Sequence, residues 1–161
     1  MKKIMLKVFL ICSLFVTNTS FTAYKKEGPI KVKVIVRIDR LKAISKDACN
    51  AKMDFKGAIT IHTVKKSFPV MEGNDIRPGW EFSTPSAQKF INIKIDIWDD
   101  DDALCGGGDD AVIVNPTGSQ TLSISLDPNL PGTKTTTVTG KKVSGKEQAE
   151  ITYTTTIISA L

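Results

Sequence analysis

The feature that most constrains this chain is a period of two. Ile91, Ile93, Ile95 and Ile97 alternate with Asn92, Lys94, Asp96 and Trp98. In an extended strand successive side chains point to opposite faces, so this segment has one apolar face and one polar face. The same alternation places Ile30, Val32, Val34, Val36 and Ile38 on one side and Lys31, Lys33 and Arg37 on the other. Further strand-like segments are Phe55–Val64, Phe68–Met71, Trp80–Phe82 after a Pro78-Gly79 break, Val112–Val114 and Leu122–Leu126. Thr135–Thr139 reads as an edge strand and Ala149–Ile158 as the last strand. No segment carries a 3.6-residue apolar period. Seven to nine short β-rich segments separated by Gly, Pro, Asn and Asp clusters predict an all-β chain, an antiparallel β-sandwich of about eight strands. Residues 24–161 suffice for one such domain.

The start of the chain reads as an export signal. Residues 1–23 carry Lys2, Lys3 and Lys7, no acid, and the apolar run from Val8 to Val16 before small polar residues. That is the layout of a signal peptide, and the run is too short to span a bilayer. Cleavage after Thr19, Thr22 or Ala23 fits, so the domain is expected to be secreted, periplasmic or on the cell surface. Removing the segment takes away three lysines and no acid, so the formal charge of +5 becomes +2. The basic pI of about 9.1 therefore belongs largely to the signal. No basic stripe with interleaved aromatics is present, which argues against nucleic acid as a partner. Cys12 leaves with the signal, and Cys49 and Cys105 remain. In an exported protein these two have one intramolecular pairing, a disulfide, with two free thiols as the alternative.

Acidic residues are concentrated. Of 17 acids, seven lie between Asp96 and Asp110: Asp96, Asp99, Asp100, Asp101, Asp102, Asp109 and Asp110. Carboxylates packed this closely repel one another, and their hard oxygens suit Ca²⁺. A solvated, charged turn is the plainer reading. An EF-hand loop starting at Asp99 would need glycine at its sixth position, where Leu104 stands. The run Gly106-Gly107-Gly108-Asp109 resembles one unit of a nonapeptide calcium repeat but occurs once. Zinc is not indicated, since the one histidine, His62, falls inside a strand pattern. With no Ser/His/Asp set and no phosphate loop, catalysis is not expected.

A third calcium pattern fits the order of the motifs. The opening Gly28-Pro-Ile-Lys-Val-Lys-Val-Ile-Val-Arg-Ile-Asp-Arg-Leu resembles the first strand of the C2 domain, the calcium- and phospholipid-binding β-sandwich. Asp47 and Asp54 match the two aspartates that bracket its first loop. Arg77-Pro78-Gly79-Trp80-Glu81-Phe82 resembles its Asn-Pro-x-Trp turn and strand, and Ile93-Lys-Ile-Asp-Ile-Trp-Asp-Asp-Asp101 its Val-x-Val-x-Asp-x-Asp strand and loop. Asp109-Asp110-Ala-Val-Ile is similar to its closing Asp-x-Ile/Val. The likeness runs over roughly residues 28–158. It departs at the longer third loop, at Ile113 where glycine is usual, and over 128–147, which have no counterpart.

The resemblance implies calcium ligands Asp47 and Asp54 from the first loop, and Asp99, Asp101 and Asp109 or Asp110 from the third. A Cys49–Cys105 disulfide would tie those two loops together. It implies a membrane contact at Ala103 and Leu104, with Met53 and Ile76 on neighbouring loops. Lys31, Lys33, Lys65 and Lys66 are expected to add attraction to anionic phospholipid. A protein or glycan surface is the other expected partner of what reads as a monomeric, non-catalytic module. In the alternative, a structural or adhesion sandwich, calcium is merely stabilising or absent.

Overall fold

The computed structural model describes residues 28, 30–45, 52–100 and 109–159. Among them are ten strands: β1 (Val32–Ala43), β2 (Asp54–Ile61), β3 (Val64–Glu72), β4 (Asp75–Ile76), β5 (Trp80–Ser86), β6 (Ile91–Asp100), β7 (Asp109–Ile113), β8 (Leu122–Leu126), β9 (Gly132–Thr139) and β10 (Glu147–Ser159). In one layer β1 lies between β10 and β5, with β4 on the β5 side and β9 beyond β10. In the other, β2 lies between β3 and β6, and β8 and β7 share the far edge of β6. A two-residue parallel pairing, Val112 with Glu147 and Ile113 with Gln148, stitches β7 to β10 and joins the layers. The other pairings among the described residues are antiparallel.

The expectation of a sandwich holds, and the strand count of eight is corrected to ten. Phe55–Val64 is not one strand. It breaks at His62 and Thr63 into the β2–β3 hairpin, with Ile61 opposite Val64. His62 takes a φ of +56°, a conformation that histidine tolerates better than most residues. It therefore sits in a turn and not within a strand, and its Nε2 lies 2.8 Å from Ser86 Oγ at the end of β5. β4 spans two residues, too few for any period to register.

The alternating residues fill the space between the layers. Val34, Val36 and Ile38 of β1 face Phe55, Ile59 and Ile61 of β2 and Ile91, Ile93, Ile95 and Ile97 of β6 across a fully buried core. Met53 and Ile76 belong to this core and not to an exposed tip: both are buried, Met53 completely. Phe68 stacks on Trp80 with ring centroids 5.4 Å apart. Gly57 makes room for that stack, since a Cβ there would lie 2.6 Å from Trp80 Cζ3 and 3.1 Å from Ile97 Cδ1. Gly57→Ala is expected to destabilise the fold by about 1–3 kcal/mol through overpacking. A melting temperature equal to that of the parent protein would show that the Trp80 ring shifts freely.

Candidate metal centre

The strand registers bring one set of loop ends to the same end of the sandwich. Asp54 lies opposite Glu72, Phe55 opposite Asp99, and Asp99 opposite Asp110. The described ends of the first loop are braced from the β3–β4 connection. Asn74 O accepts the Ala43 N–H at 2.8 Å, its side-chain oxygen accepts the Met53 N–H at 3.3 Å, and the Gly73 N–H donates to Met53 O at 2.9 Å. Ile44 and Ser45 donate to Gln148 O of β10. Asp99 is a buried carboxylate whose Oδ1 accepts the Asp54 N–H at 2.6 Å. Two of the predicted ligands, 45 residues apart in sequence, are thus in contact through the Asp54 backbone N–H.

The next row separates the other aspartates. Asp109 lies opposite Asp100, on the outer face of the layer, and Lys56 Nζ reaches both. It donates to Asp100 Oδ1 at 2.6 Å and also to Asp109 Oδ1. Lys56 was missed in the sequence because its position beside the aspartates depends on the β2–β6–β7 register, which no local pattern encodes. The Lys56 hydrogen bond holds the Asp100 carboxyl below the usual carboxylate range, with a further contribution from Asp109. Lys56 is raised in turn, first by Asp100 and then by Asp109.

These directions predict a pH dependence. A lowered carboxylate pKa contributes stability that is present above its unfolded value of about 4 and is lost as pH falls through the folded value. The raised Lys56 contributes stability that is complete below its unfolded value of about 10.4 and is lost as pH rises through the folded one. Lys56→Met should therefore lower the melting temperature by a constant amount between about pH 5 and pH 9. The gap to the parent protein should close below about pH 4. A gap that persists unchanged down to about pH 3 would mean that the pairs contribute nothing to stability.

Four of the six predicted ligands, Asp54, Asp99, Asp109 and Asp110, are described and cluster at one end. Asp47 and Asp101 lie outside the described residues, as do Cys49, Cys105, Ala103, Leu104 and the signal segment. Among the described residues no three His, Cys, Asp or Glu side chains converge closely enough to hold a metal ion. The described donors are carboxylate oxygens with no soft ligand among them, the donor chemistry that calcium takes. Lys31 and Lys33 lie at the opposite end, where β1 begins beside Ser159 and Ser86, so they take no part in a contact made at the acidic loops. Lys65 and Lys66 lie toward that same far end on β3. Lys65 Nζ sits over the Trp98 ring, and Lys66 Nζ donates to Glu81 O.

No protein-family model and no curated protein sequence matches the chain. Solved structures do match in shape. A C2 domain of plant Extended Synaptotagmin 1 superposes with a TM-score of 0.60 at 12% identity, over 84% of this chain and 99% of that one. A structure described simply as a C2 domain gives a TM-score of 0.56 at 14% identity, over 80% of this chain and 98% of that one. Human GIVD cytosolic phospholipase A2 gives 0.56 at 13% identity over 83% of this chain, and the match spans 18% of that protein's length. At these identities the likeness is one of fold, and the fold is that of the C2 β-sandwich.

Proposed function

We propose that this protein is an exported, non-catalytic C2-like module whose acidic loop end holds calcium and, through it, a phospholipid or other anionic surface. The observation that carries this reading is the Asp54–Asp99 contact. The Asp99 carboxylate accepts the backbone N–H of Asp54 at the end of the core, and Asp110 stands opposite Asp99. Asp47 and Asp101 would complete the set. Bound calcium would turn this acidic end positive and bridge to lipid phosphates, with Ala103 and Leu104 as the apolar tip. Weak sites are filled permanently at millimolar extracellular calcium, where the ion acts as a structural part rather than a signal.

Lys56 favours a second reading. It already neutralises part of the acidic end by pairing with Asp100 and Asp109, so a sandwich serving adhesion or structure would need less metal than the count of aspartates suggests. Melting the protein in EDTA and in millimolar Ca²⁺ separates the two, because a ligand that binds only the folded state must raise the melting temperature. An unchanged value would remove the calcium reading. Calcium-dependent pelleting with phosphatidylserine vesicles would then divide a lipid binder from a calcium-stabilised adhesion module.

A further inference from the structure

We propose that the end of the sandwich opposite the acidic loops is a second docking surface, for an anionic lipid bilayer, working without calcium. Five of the seven exposed large apolar side chains among the described residues lie there: Ile30, Val64, Phe90, Leu130 and Ile158. The registers place them, because β1 begins, β2 turns into β3, β6 begins and β10 ends at this end. Phe90 is 54% and Leu130 71% exposed, on a surface that a monomer in water gains nothing by showing. A cleft of about 450 Å³, lined by Leu126, Leu130, Pro131 and Ile157 among others, opens beside them.

Charge selects the occupant. Lys31, Lys33, Lys89 and Lys134 surround these apolar residues, and Lys89 Nζ lies 5.6 Å from the Phe90 ring centre. Among the described residues Asp127 is the one acid at this end, and its Oδ1 accepts the Asn129 N–H and the Asn129 side-chain amide. A second copy docked face to face would set these lysines against their own counterparts, and like charges brought together oppose association. The apolar side chains sit on strand ends and loops around the whole end rather than in a single groove. That arrangement suits shallow insertion between headgroups, with lysines meeting anionic phosphates.

The test is co-sedimentation of the purified protein in EDTA with phosphatidylcholine vesicles, with and without phosphatidylserine at about one lipid in three. Binding is expected to the anionic vesicles only, and to weaken as salt shortens the screening length. Phe90→Ser with Leu130→Ser, and separately Lys89→Glu with Lys134→Glu, should each weaken it about tenfold or more. All four side chains lie on the surface, so the melting temperature should hold, which shows that the variants fold. The assay is run in EDTA, so its outcome is independent of the calcium reading. Absence of binding in EDTA at low salt, or binding that ignores both double variants, would overturn the proposal. So would concentration-dependent dimerisation abolished by Phe90→Ser with Leu130→Ser, which would make the patch a self-association surface.

Discussion

Gly140→Ala should lower the melting temperature by about 10 °C, corresponding to about 3 kcal/mol. Gly140 is buried where the end of β9 passes the end of β7. A Cβ added there would lie 2.5 Å from the Ile113 carbonyl carbon and closer still to its oxygen. Both are backbone atoms held by the β7–β10 pairing, so no side chain can swing aside to make room. The residue is also fastened on each side. Its N–H donates to Ala149 O at 3.0 Å, its carbonyl accepts from the Gln148 side chain, and the next N–H, of Lys141, donates to Asn115 O. Relieving the clash means breaking these bonds or prising β7 from β10, where the two layers are joined. Gly145→Ala is the control. Gly145 has a φ of +69° and open space around it, so alanine there costs about 1 kcal/mol of conformational strain and no packing. Equal melting temperatures for the two variants would mean that the β7–β9 approach is loose and that the layers are not pinned there.

Gly140 also shows which parts of this fold are legible in a sequence. Alternation is a local property, and Ile91–Ile97 and Val32–Ile38 declare their strands and their buried faces without help. Turns announce themselves only when they use the usual residues. The hairpin at His62 and Thr63 contains no Gly, Asn, Pro or Asp, and the strand pattern runs straight through it. Close approaches between distant backbones leave no local trace, so Gly140 looks like any loop glycine until Ile113 is placed beside it. The same limit divides the acidic end. Asp54 and Asp99 fall at the positions where a C2-like chain carries loop aspartates, and they meet. Lys56 follows two residues later, yet its pairing with Asp100 and Asp109 depends on how three strands are aligned. Met53 and Ile76 were expected at an apolar tip because they flank loops. The strand ends that carry them are drawn down into the core.

Asp110→Asn is expected to abolish the calcium-dependent rise in melting temperature, while Asp109→Asn should preserve it. The two aspartates are neighbours in sequence, and the resemblance to C2 loops leaves open which of them is the ligand. Register separates them. Asp110 stands opposite Asp99, whose carboxylate already touches Asp54, whereas Asp109 stands opposite Asp100 and is held by Lys56. An ammonium in contact with a carboxylate competes with a cation for the same oxygens, so Asp109 is the poorer ligand. Calcium at about a hundred times its dissociation constant contributes about 2.7 kcal/mol to a folded state that alone binds it, which is about 8 °C in a domain of this size. An amide in place of Asp110 removes one negative charge and a strong oxygen donor from the set, and calcium affinity depends on ligand charge. The same change at Asp109 leaves Lys56 paired to Asp100, Asp110 opposite Asp99, and the Asp54 N–H bonded to Asp99. Melting each variant in EDTA and in calcium gives the comparison directly. Loss of the shift in Asp109→Asn with its retention in Asp110→Asn would reverse the assignment and place the metal on the outer face, in competition with Lys56.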